Sequence, residues 1–118
     1  MDMNEIGRRA KEASYQLAGL TGRQRQDLLL TLADRLQAAR GEIMQHNALD
    51  LEEGRANGLS EALLDRLMLN EERIDGIVAD LRQVAALADP IGTVMDGASL
   101  ASGLQIRRQQ VPLGVVGV

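Results

Sequence analysis

Apolar residues recur at steps of three and four along most of this chain, the spacing that places one stripe on a helix. Ile6, Ala10, Ala13, Leu17 and Leu20 form the first such stripe and predict a helix from about Met3 to Ala18, ended by Gly19. Thr21-Gly22-Arg23-Gln24 has the form of a capping box, in which the Thr21 hydroxyl and the Gln24 amide each satisfy the other's backbone N–H. Leu28, Leu29, Leu32, Ala33 and Leu36 continue from it on one face to about Arg40. Gly41 predicts a break or kink, after which Ile43, Met44, Ala48 and Leu51 carry a helical pattern to Gly54. Asn57-Gly58 reads as a stop, because both residues tolerate the left-handed conformation. Ser60 and Glu61 restart a short helix to Leu67. Asn70 with Glu71 and Glu72 starts another, marked by Ile74, Ile77, Val78, Leu81, Val84 and Ala85, running to about Leu87. Asp89-Pro90 stops it.

Beyond Pro90 the period changes. Ile91 to Met95 predicts a strand, Asp96-Gly97-Ala98-Ser99 a turn, and Gly103 to Val111 a second strand with period-two alternation. Together they predict a long antiparallel hairpin over 91–111. Its faces are polar, and an isolated two-stranded hairpin is marginal in water, so it should lean on another surface, with a neighbouring subunit as one candidate. The closing stretch, Pro112-Leu113-Gly114-Val115-Val116-Gly117-Val118, is almost wholly apolar. Such a run suits a strand covered on both faces in a parallel sheet. With nothing after it to cover it, the expectation is that 1–118 is the N-terminal piece of a larger α/β enzyme.

Composition narrows the chemistry. The 118 residues include no Cys, Phe or Trp, one Tyr and one His. The core must be aliphatic, and disulfides, thiolate metal sites and a cysteine nucleophile are excluded from these residues. The net charge is −4, with acidic and basic residues interspersed, so no basic stripe or aromatic platform favours nucleic acid. The N-terminus is polar and charged, without a signal-peptide core, and no apolar run approaches the roughly 20 residues a membrane helix needs. The expected compartment is the cytoplasm, with no membrane partner.

Each candidate for chemistry also has a plain structural reading. His46 lacks acidic partners in register and is expected at the surface. Asn47 and Asp50 share a helix face and could orient a partner loop, though a solvated face is the simpler expectation. Glu52–Glu53 and Glu71–Glu72 are adjacent residues whose side chains diverge on a helix, unlike an acid/base pair. Arg107 and Arg108 point to opposite faces of a strand, so they are no bidentate clamp; one is expected in an inter-subunit ion pair and the other in water. Gly114 and Gly117 lie inside the apolar run and not between a strand and a helix, so they make no nucleotide-binding turn.

Two blocks are distinctive: Ala56-Asn57-Gly58-Leu59-Ser60-Glu61-Ala62-Leu63-Leu64-Asp65-Arg66-Leu67, preceded by Asn47-Ala48-Leu49-Asp50-Leu51, and Val111-Pro112-Leu113-Gly114-Val115-Val116-Gly117-Val118. They closely resemble the gamma-glutamyl phosphate reductase family of the aldehyde dehydrogenase superfamily, and the resemblance runs along essentially the whole chain. It implies an α/β, aldehyde dehydrogenase-like fold for the intact protein. Residues 1–90 would be the helical N-terminal part of the cofactor-binding domain, 91–111 the oligomerisation hairpin, and 112–118 the start of the Rossmann-like sheet. The implied activity is reduction of L-glutamate 5-phosphate to L-glutamate 5-semialdehyde and phosphate with NADPH, in proline biosynthesis. The family's catalytic cysteine attacks the acyl phosphate, and the resulting thioester takes hydride from the nicotinamide. That cysteine and the main nucleotide loops lie downstream of the matched region, so the resemblance assigns no catalytic, cofactor-binding or metal residue to these positions, and this portion alone is expected to be inactive. Two other readings stand beside it: a stand-alone helical and hairpin interaction module without catalysis, and an aldehyde dehydrogenase-like enzyme with another acyl substrate.

Overall fold

The helices begin where polar side chains can accept the N–H groups that a first turn leaves unpaired. The Asp2 carboxylate accepts from the Asn4 N–H at 3.2 Å and opens α1, Met3–Ala18. The capping box is formed: the Thr21 N–H donates to Gln24 Oε1 at 2.9 Å, and the Gln24 N–H donates to Thr21 Oγ1 at 3.2 Å. It opens α2, Gly22–Ala38. The computed structural model describes residues 2–117.

The break before α3, Arg40–Ala56, falls at Ala39 (φ −84°, ψ 3°), and the expected break residue Gly41 lies inside the first turn. At the other end of α3 the chain closes in a Schellman arrangement. The Leu59 N–H donates to the Gly54 carbonyl at 3.0 Å and the Gly58 N–H to that of Arg55 at 3.1 Å. Gly58 takes the left-handed conformation (φ +77°), whereas Asn57 does not. The short α4, Glu61–Leu67, follows, and then α5, Glu71–Ala86, capped by the Asn70 side chain accepting from the Arg73 N–H at 2.8 Å.

Two compact units result, one of residues 26–87 and the other of the residues up to Arg25 together with those from Ala88 onward. In the first, Ala33 of α2 and Ile74 and Val78 of α5 are buried together, flanked by Leu36, Ile43, Met44, Leu69 and Leu81. The helical stripes converge there because burying aliphatic area contributes roughly 25 cal/mol per Å². Ion pairs trim the rim of this unit: Arg40 with Asp75 at 3.2 Å, and Arg82 with Asp34 at 3.1 Å. Exposed as they are, such pairs contribute little each.

The other unit holds α1 and the hairpin. No residue of α1 is buried; Ile6 and Leu17 of its apolar stripe remain exposed. The strands are β1, Val94–Ser99, and β2, Gln105–Gln109, paired antiparallel with Asp96 opposite Arg108, Gly97 opposite Arg107 and Ala98 opposite Ile106. Met95 makes a bulge between Val94 and Asp96. Two expectations are corrected here. The first strand starts at Val94, not Ile91, and Asp96–Ser99 belong to β1, not to the turn. The turn is Leu100–Leu104, closed by the Leu100 N–H donating to the Leu104 carbonyl at 2.9 Å. Gly103 at φ +85° supplies the one left-handed residue that turn needs.

Gln110 still pairs with Gly92 and Thr93 at the base of the hairpin, whereas from Val111 to Gly117 the chain joins no ladder among the described residues; Val118 lies outside them.

Candidate functional site

Helix α3 brings Glu42, His46 and Asp50 into line at successive turns, beside an open cleft of about 420 Å³ that Ala39, Ile43, Asn47 and Leu69 also line. His46, Glu42 and Asp50 are exposed, as a solvated helix face requires. Asn47 is not: it is only 6% exposed. Its Nδ2 donates to the Leu67 carbonyl at 2.9 Å, and its Oδ1 accepts from the Leu69 N–H at 2.7 Å. The solvated-face expectation is therefore corrected for Asn47, whose amide holds the link between α4 and α5 of its own chain. Met68 within that link also accepts from Arg73 Nη1 at 2.9 Å. The pattern of α3 alone could not reveal this clamp, because its partners lie 20 and 22 residues away.

Glu52, Glu53, Glu71 and Glu72 are all exposed, and no group of three or more His, Cys, Asp or Glu side chains among the described residues could hold a metal ion. Gly114 takes the left-handed conformation (φ +91°), and both it and Gly117 are exposed in a stretch that is neither strand nor helix. No helix is long and apolar enough to cross a membrane.

The hairpin is the element with every residue of both strands exposed, including Val94, Met95 and Ile106. The Arg108 guanidinium lies 2.5 Å from the Asp96 carboxylate across the ladder, so this arginine of the doublet has an acidic partner within the hairpin itself. Cross-strand opposition at the same register brings these two charges together. On the neighbouring pair, a Cβ at Gly97 would sit 2.8 Å from the Ile106 carbonyl oxygen. Gly97→Val should therefore disrupt pairing around Ala98 and Ile106, with an overpacking cost of about 1–3 kcal/mol that a two-stranded sheet cannot absorb. Cross-strand NOEs between those residues should vanish while the helical circular dichroism is retained; unchanged NOEs would remove the steric argument.

No family model matches the chain. Curated relatives do. The gamma-glutamyl phosphate reductase of Erwinia tasmaniensis is 54% identical over 116 residues, that of Pectobacterium carotovorum 53% and that of Escherichia coli 51%. Each match covers 98% of this chain but 28% of the relative, so the chain spans a little over a quarter of the length of these relatives. Among solved structures, the gamma-glutamyl phosphate reductase of Thermotoga maritima superposes with a TM-score of 0.88 at 35% identity, covering 95% of this chain and 27% of that one. That of Saccharomyces cerevisiae gives 0.84 at 29% identity, covering 95% and 29%. In sequence and in fold, this chain corresponds to the N-terminal portion of the gamma-glutamyl phosphate reductase family.

Proposed function

We propose that these residues are the N-terminal portion of an NADPH-dependent reductase that converts L-glutamate 5-phosphate to L-glutamate 5-semialdehyde and phosphate in proline biosynthesis. The observation that carries the reading is 54% identity extending across 98% of the chain to a protein of that name. The proposed enzyme is a cytoplasmic homo-oligomer of aldehyde dehydrogenase-like α/β fold. Helices of residues 1–90 pack on the outside of its cofactor domain, 91–111 contact another subunit, and 112–118 begin the Rossmann-like sheet.

This reading assigns no catalytic or cofactor-binding residue to the described residues, whose sequence contains no cysteine to act as nucleophile. The role of this portion is structural: the α2–α3–α5 core supports the helices, and the exposed hairpin supplies a contact surface.

A chimera tests the proposal. Residues 1–118 replace the corresponding portion of the Escherichia coli relative, and phosphate-dependent NADP⁺ reduction by glutamate 5-semialdehyde is followed. Activity within about tenfold of the parent is expected, since about 1.4 kcal/mol of misfit corresponds to that factor. The 118-residue chain alone should give none. The exposed hairpin also favours a second reading, an interaction module without catalysis; a folded but inactive chimera would favour that module over the reductase.

A further inference from the structure

Arg25 joins three separate stretches of the unit that carries the hairpin. Its Nη1 donates to the Leu20 carbonyl, in the corner between α1 and α2, and its Nη2 donates to the Asp89 carboxylate, just ahead of the hairpin. The other oxygen of Asp89 accepts from the Ile91 N–H at 3.1 Å. The arginine fork makes two directed bonds from one planar group, which a lysine could not reproduce. Both side chains are partly shielded from water, 21% exposed for Arg25 and 29% for Asp89. The guanidinium and the Ile91 N–H hold the Asp89 carboxyl below the usual carboxylate range.

The backbone has made room for this contact. A Cβ on Gly22, in the first turn of α2, would lie 2.6 Å from Asp89 Oδ2 and 3.2 Å from Asp89 Cβ. Immediately after Asp89 the base of the hairpin closes: the Gly92 N–H donates to the Gln110 carbonyl and the Gln110 N–H to that of Thr93, each at 3.0 Å. Carboxylate, peptide and base therefore follow one another within five residues.

We propose that Arg25 and Asp89, with Gly22 leaving them space, form a clasp that fixes the base of the hairpin against the α1–α2 corner. They act as positioning residues, and the clasp sets the direction in which the hairpin is presented to whatever covers it. The inference uses contacts inside one unit and does not rest on the reductase reading.

Amide hydrogen exchange and residual dipolar couplings on the 118-residue chain test it. Arg25→Met keeps the aliphatic stem, Asp89→Asn keeps the shape, and Gly22→Ala leaves both charged groups intact while pushing them apart. Each should speed exchange of the Gly92 and Gln110 amides by about tenfold or more, as local opening does. The Leu69 amide, held by Asn47 in the other unit, should change less than about twofold, because opening there is separate. Couplings from α1 and the hairpin should fit one alignment tensor in the parent and two in the variants. Unchanged exchange with a single tensor would overturn the clasp, and so would equal acceleration at Leu69, which would indicate general loss of stability. Should Arg25→Met not fold, Asp89→Asn and Gly22→Ala decide the matter alone, and none of these readouts involves activity or assembly.

Discussion

Ile74→Ala should lower the unfolding free energy of the 26–87 unit by about 2–5 kcal/mol, the usual range for truncating a fully buried aliphatic side chain. Ile74 is 1% exposed and sits at the centre of the cluster formed with Ala33 and Val78. The loss has two parts, the transfer of the missing carbons and the void they leave. The void should persist, because the flanking apolar side chains come from three helices and the α4–α5 link, which cannot all move inward together. Ile77 provides the internal control. It lies on the same helix but is 43% exposed, so Ile77→Ala should cost less than about 1 kcal/mol. Urea titration of both variants checks the pair. A loss below about 1 kcal/mol at Ile74, or equal losses at the two positions, would mean that the core is not centred on α5.

Natural domains are stable by only about 5–15 kcal/mol, so a loss of that size is a large fraction of the total. This gives the helical unit a practical consequence. Its few fully buried positions leave little margin, and a substitution at any of Ala33, Ile74 or Val78 should be felt across all three packed helices.

Local chemistry was enough to place the helices. The Thr21–Gln24 box, the Asn70 cap and the Gly58 stop each act within one turn, and each is where the residues predict it. Features that depend on distant partners were not legible. Asp96-Gly97 has the composition of a turn, but so does Ser102-Gly103, and neighbouring residues cannot choose between them. The choice is made across the ladder, where Asp96 meets Arg108 and the missing Cβ of Gly97 admits the Ile106 carbonyl. The break between α2 and α3 follows the same logic. It falls at Ala39, ahead of the more flexible Gly41, where Leu36 on one side and Ile43 on the other both reach the same cluster. The clasp of Arg25 with Asp89 spans 64 residues and had no local signal at all. The family resemblance rests on two sequence blocks, and the apolar end of the chain, one of the two, shows its suitability for a parallel sheet only through composition.

Asn47→Ala should destabilise the helical unit by about 2–4 kcal/mol although it removes only one small polar side chain. The wild-type amide satisfies two backbone groups at once, accepting from the Leu69 N–H and donating to the Leu67 carbonyl. Alanine leaves both without a partner in a partly buried setting, and each orphaned group carries a desolvation cost of about 1–3 kcal/mol. The damage should spread beyond the bonds themselves. Leu69 packs against the Ala33–Ile74–Val78 cluster, and Asn70 caps α5, so a loosened link reaches both the core and the start of a helix. Asp50→Ala distinguishes this clamp from a general effect of polar residues on α3. Asp50 lies one turn further along the same helix but is exposed, and its loss should stay within about 0.5 kcal/mol. Urea unfolding combined with exchange at the Leu69 amide reads both variants. If Asn47→Ala costs under about 1 kcal/mol and the Leu69 amide keeps its protection, the α4–α5 link is held by packing alone. A large loss confined to Asn47→Ala, with Leu69 exchanging freely, would identify a single buried amide as the fastener that joins α3 to the start of α5.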